Sequence, residues 1–194
     1  MTQGIGNVEV IKSSLQGQIL IAQPSANSTF FAQSVVLVCE HHAQGAWGLV
    51  LNKPSSAIRV KHIAQDLNLN YQDEEPLYIG GPLETDGLHF IHTPDCVASN
   101  TYWVTNTLCV TSSVSILREI VAGRGPSKWR MCGGLSSWAS GQLEGEQSGE
   151  PPWTPQHRWL TTPCPNNILE LPPQHLWKGQ THNAIEESVK NFLE

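Results

Sequence analysis

The chain has 194 residues, 39% of them apolar and 14% charged, and its 11 Lys and Arg against 17 Asp and Glu leave a net charge of −6. With its 16 glycines the apolar share reaches about 47%, the range of a packed globular protein, which excludes extended disorder. The negative balance opposes a general affinity for phosphate backbones, and no run of 18 apolar residues offers a helix that could span a bilayer.

Residues 1–16 read as a polar extension or a loosely attached first strand, with Val8, Val10 and Ile11 as its apolar positions. They lack the basic start and apolar middle of an export signal, so the expected location is cytoplasmic. From Gly17 the pattern sharpens. Residues 18–22 form a short β-rich run, and residues 34–39 a continuously apolar one, as expected of a strand buried on both faces. Residues 40–46 are expected to turn the chain, and 47–51 to return as a third strand that makes a hairpin with the second. Ile58, His62, Ile63 and Leu67 recur at helical spacing. Residues 76–79 read as a strand closed by the turn Gly80-Gly81-Pro82, 88–92 as another, and 102–110 as a continuation of the sheet.

Ser112 or Ser113 can cap a helix with the stripe Leu117, Ile120 and Val121, ended by Gly123. Residues 129–138 read as a strand interrupted by Gly133-Gly134, which suggests a bulge or a close backbone approach. Pro151, Pro152, Trp153 and Pro155 mark residues 145–158 as a surface loop. Residues 159–163 suit an edge strand. Asn183 with Glu186 forms a capping box before Ile185, Val189 and Phe192, so a terminal amphipathic helix is expected from there. The five cysteines, Cys39, Cys96, Cys109, Cys132 and Cys164, fit neither a redox pair nor a zinc ribbon, and reduced thiols are the expectation.

Six blocks in order carry a resemblance: Gly17 to Pro24, Ser34 to His41, Gly45 to Pro54, Gly80-Gly81-Pro82, Gly123 to Pro126, and Trp138 to Glu144, with a weaker tail from Ile168 to Pro173 and Trp177. In these blocks the chain resembles the AlgH/YqgE family of bacterial proteins over about residues 17–178. The resemblance implies an α+β fold with a mixed, partly barrel-like β-sheet flanked by helices, a single compact domain over 17–194, and a cytoplasmic bacterial protein. Its label as a transcriptional regulator of alginate synthesis rests on association and brings no recognised DNA-binding module. Members usually continue in a helix after the position of Glu144; the proline-rich stretch here departs from that pattern.

Candidate sites follow from residue chemistry. Cys39, Glu40 and His41 are the most reactive-looking trio, because an imidazole can help ionise a thiol. On a regular strand Cys39 and His41 share a face; a small buried core residue is the other account of Cys39. His89 and His92 fall on opposite faces of a strand, so no metal site is expected, and no cofactor motif is found. Gly80 and Gly81 can let backbone amides approach an anion or simply make a tight turn. Asn52, Lys53, Gln142 and Glu144 set polar groups beside apolar strands, with Trp138 as an apolar wall, which suits a ligand pocket as well as local backbone satisfaction.

The combined expectation is a non-enzymatic module that binds an unidentified protein or small ligand through one face formed by residues 39–54, 80–82 and 138–144. A second possibility is a thiol-dependent enzyme or redox sensor with Cys39 as nucleophile and His41 as base. A third, a direct DNA-binding regulator, runs against the charge balance. The sequence specifies no oligomeric state.

Overall fold

The computed structural model describes residues 14–26, 29–149, 151–153 and 159–193. The expected strand at Val8, Val10 and Ile11 and part of the proline-rich loop lie outside them. In chain order the elements are β1 (Gln18–Ala22), β2 (Val35–His42), β3 (Gly45–Val50), β4 (Pro54–Arg59), α1 (Val60–Asp66), β5 (Pro76–Ile79), β6 (Leu83–His92) and β7 (Tyr102–Trp103). Then follow β8 (Cys109–Thr111), α2 (Ser115–Val121), β9 (Trp129–Ala139), α3 (Gln142–Ser148), β10 (Trp159–Pro163) and α4 (Pro173–Leu193).

Eight strands run in the order β10-β1-β2-β3-β9-β6-β8-β7 and curl into a half barrel, with β5 added in parallel to β9 and β4 antiparallel to β5. The sheet is therefore mixed, as the resemblance implies. Alternation explains why residues 19–22 of β1 and 35–39 of β2 are apolar on both faces. Ile19, Ile21, Val35, Leu37 and Cys39 enter one core, whereas Leu20, Ala22, Val36 and Val38 enter a second core on the opposite face. A third core, under α1 and α2, gathers Val60, Phe90, Ile116, Leu117 and Met131.

The eleven-residue β9 organises the whole. Its C-terminal half pairs with β3 and its N-terminal half with β5, while β6 lies along the other edge. The chain changes partner where Gly80-Gly81 crosses Gly133-Gly134. A Cβ on Gly81 would sit 2.0 Å from the Leu135 carbonyl, and one on Gly80 2.4 Å from the Gly134 oxygen, so only glycine allows this crossing. The close approach expected at Gly133-Gly134 is present.

Several elements differ from expectation. β2 continues through Glu40 and His41 to His42, so the expected turn shrinks to the two residues before β3. β4 was not anticipated, since residues 54–57 carry no apolar alternation and lie largely at the surface. α3 occupies residues expected in a loop: the prolines begin only at Pro151, and Gly149, with φ of 69°, closes the helix before them. α4 starts at Pro173, ten residues before the expected cap at Asn183, because proline fits a first helical turn. Its packed stripe is Leu176, Gln180 and Ala184; Ile185 and Val189, expected to be buried, are half exposed. The residue before α2 is Val114 rather than Ser112 or Ser113, and the Ser113 hydroxyl oxygen, one position earlier, accepts from the Ser115 N–H at 3.4 Å.

Candidate functional site

Four segments build an aromatic concavity on the face of α3. β9 ends at Ala139, and Gly141, with φ of 72°, turns the chain so that α3 lies back on the sheet with Leu143 buried against it. The turn is fastened by the Ser140 hydroxyl, which donates to the Ala43 carbonyl at 2.7 Å, and by the Ala139 N–H, which donates to Gln142 Oε1 at 3.0 Å. β10, the edge strand beside β1, brings Trp159 to the same face, opposite Ala22. The segment after the 3-10 turn Pro24–Ala26 supplies Thr29, Phe30 and Phe31.

These residues enclose a cavity of about 250 Å³ with Ala22, Ala26 and Ser137 completing its lining. Its aromatic walls stand at steep angles: Trp138 and Trp159 lie 6.1 Å apart at 78°, Phe31 and Trp159 5.3 Å at 75°, and Phe30 and Phe31 5.1 Å at 89°. Edge-to-face pairs of this kind stabilise by about 0.5–1.5 kcal/mol each beyond area burial. At the base sits Glu146, 5% exposed. Its Oε2 accepts the indole N–H of Trp138 at 2.9 Å and of Trp159 at 2.8 Å, and its Oε1 accepts the Gln142 amide at 2.9 Å. The carboxylate thus orients both indoles, and the indoles shape the cavity.

The sequence-derived candidates divide among separate places. Trp138 and Gln142 belong to this cavity. Glu144, two residues along the helix, instead accepts from His41 Nε2 at 3.1 Å, while His41 Nδ1 accepts the Leu15 N–H at 3.0 Å. His41 is therefore the Nε2–H tautomer and fastens α3 and residues 14–15 to the sheet. Asn52 and Lys53 lie at the far end of the β2–β3 hairpin. Asn52 accepts from the Val35 N–H at 2.9 Å and donates to the Gln33 carbonyl at 2.8 Å; Lys53 donates to the Ala32 carbonyl at 3.1 Å and stands 5.5 Å from the Phe30 ring centre. With Gln174 and Trp177 they line a second cavity of about 290 Å³. Gly80 and Gly81 are sealed against β9 and reach neither cavity. The single shared face is thus corrected to two cavities joined by the segment 29–33 and a buried strand crossing.

The pairing of Cys39 with His41 also needs correction. Between Val38 and Glu40 the register slips by one residue, since Val38 faces Gly48 but Glu40 faces Trp47. The extra residue of this bulge is Cys39, and it inverts the alternation. Cys39 enters the first core, whereas His41, opposite Ala46, turns to the other face and Glu144. Burial pushes the Cys39 thiol well up, and the nearby Cys132 and Cys164 thiols push it in the same direction. Glu40 is at the surface and accepts from the Trp47 indole at 3.1 Å. His89 and His92 are held toward the neutral form by burial, and among the described residues no three His, Cys, Asp or Glu side chains gather as a metal would require.

Glu146, Phe30, Phe31 and Trp159 escaped the sequence reading. The surplus of tryptophan, seven in all, was the one signal available. The four-residue spacing of Gln142 and Glu146 becomes informative once α3 is known to be helical.

Comparison with known proteins gives a consistent picture. A family model described as AlgH-like matches residues 19–187. A UPF0301 protein of Photorhabdus laumondii subsp. laumondii is 34% identical over 173 residues, covering 85% of this chain and 89% of that protein. One of Methylobacterium nodulans is 34% identical over 168 residues, covering 81% and 77%. The solution structure of the AlgH protein from Pseudomonas aeruginosa is similar with a TM-score of 0.71 and 30% identity, covering 94% of this chain and 92% of that one. The crystal structure of a protein from Corynebacterium diphtheriae is similar with a TM-score of 0.65 and 26% identity, covering 84% and 83%.

Proposed function

Because this chain belongs to the AlgH-like family over residues 19–187, a family whose likeness carries the fold without prescribing a reaction, we propose that it is a non-enzymatic binding module whose seat is the aromatic cavity around Glu146. The observation that carries this reading is the cavity itself: apolar walls with a few fixed polar groups, the usual make-up of a small-molecule site. Trp138, Trp159 and Gln142 are held in place by one buried carboxylate, so the cavity exists before any ligand arrives.

The thiol-enzyme alternative finds no support in the geometry, since Cys39 is buried and separated from His41 by the sheet. Direct DNA binding is opposed by the net charge of −6. In our reading an effect on transcription is indirect, passing through the bound ligand or a partner protein. The five free cysteines suit the reducing cytoplasm in which we place the protein.

The test is equilibrium dialysis of the protein against the small-molecule fraction of a bacterial extract, with retained compounds measured by mass spectrometry. Phe31→Ala should lower retention about tenfold, the equivalent of one lost aromatic wall, while Asn52→Ala, at the other cavity, should leave it unchanged. Equal retention by wild type and Phe31→Ala would remove the aromatic cavity from consideration.

A further inference from the structure

We infer that the aromatic cavity takes a quaternary ammonium group, an inference that rests on the cavity being a ligand seat and names what it selects. All three partners of Glu146 are N–H donors, and its carboxylate is the acceptor in each bond. These donors are neutral. Among the described residues no Lys, Arg or His lies within ion-pairing distance of Glu146, so these donors orient its carboxylate without bringing a cation to it. A buried charge without a counter-ion is costly, and a cation entering the cavity relieves that cost.

The walls point the same way. Phe30, Phe31, Trp138 and Trp159 line the cavity, and the faces of Trp and Phe attract cations within about 6 Å of the ring centre. The outer ring already does this with the protein's own Lys53, whose ammonium approaches Phe30 from the neighbouring cavity. The hydrogen-bond inventory narrows the class further. Three of the about four acceptor positions on a carboxylate are filled by Trp138, Trp159 and Gln142, which leaves too few for the several N–H groups of a primary ammonium or a guanidinium. A fully alkylated nitrogen has no N–H to satisfy, presents methyl groups to apolar walls, and keeps its charge. The about 250 Å³ of space admits a small molecule of this kind.

The experiment titrates the full chain with choline and, separately, with 3,3-dimethylbutan-1-ol, which has the same shape with carbon in place of the charged nitrogen. The indole N–H resonances of Trp138 and Trp159 are followed by ¹H–¹⁵N NMR. Choline should bind about tenfold more tightly than the alcohol, as a desolvated cation–π site predicts, and Glu146→Gln should abolish that preference while the alcohol still binds. If the two bind equally well to wild type, the cavity stands as a ligand seat and the cation inference falls. If neither moves the indole resonances, the binding reading falls with it. The wild-type comparison decides the matter even if Glu146→Gln does not fold.

Discussion

Cys39 looks reactive beside His41 in the sequence, yet a single inserted residue in β2 sends the two side chains to opposite faces. With burial pushing the thiol well up, little thiolate exists at neutral pH. Iodoacetamide at pH 8 should therefore label the partly exposed Cys96 in the native protein and reach Cys39 only after unfolding, as peptide mapping will show; labelling of Cys39 at the rate of a free thiol would contradict its placement. The same burial has a consequence for stability. Cys132 and Cys164 are raised from 9.0 to about 12, so above pH 9 the unfolded chain releases protons that the folded chain keeps. Stability is fully present below pH 9 and is lost as pH rises toward 12, with a slope of at most about 1.4 kcal/mol per pH unit for each of the two thiols. Urea melts at pH 8 and pH 10.5 should show that decline, and Cys132→Ala should flatten it. Asn52 acts locally: Asn52→Ala leaves the Val35 N–H without its acceptor and should cost about 1–3 kcal/mol in the same melts without affecting ligand retention.

Among the elements, legibility followed periodicity. β1, β2 and β3 announce themselves by apolar runs, α2 by its stripe and by Gly123, and the β9 irregularity by its paired glycines. β4 carries no alternation to read. α3 is masked by Gly145 and the prolines that follow, although Gly145 is where the Trp153 ring packs and a Cβ would come within 2.1 Å of its indole nitrogen. α4 hides its inner face because one of its buried positions is Gln180, while the more apolar Ile185 and Val189 face outward. That assignment is testable: Leu176→Ala should cost about 2–5 kcal/mol as a core truncation, whereas Ile185→Lys should change stability by less than about 0.5 kcal/mol; the reverse order would place the helix the other way round. The strand crossing gives a sharper contrast. Gly81→Ala forces a Cβ onto backbone and should abolish folding or cost more than about 4 kcal/mol, while Gly123→Ala, with open space and φ of 71°, should cost only about 1–2 kcal/mol.

At the scale of the whole molecule, the half barrel separates two cores and places α3, β10 and the segment 29–33 over one of them. The site was the least legible part of the chain because its walls come from Phe30, Phe31, Trp138, Gln142, Glu146 and Trp159, contributed by segments up to more than a hundred residues apart that only the sheet order brings together. Sequence reasoning reached Trp138 and Gln142 through their block, but joined them to Asn52 and Lys53, which belong to a different cavity. Intermolecular NOEs from the methyl protons of bound choline distinguish these cavities directly. The account requires them to reach the ring protons of Phe31, Trp138 and Trp159; NOEs to Trp177 and the Lys53 side chain instead would move the binding seat to the other end of the hairpin and contradict it.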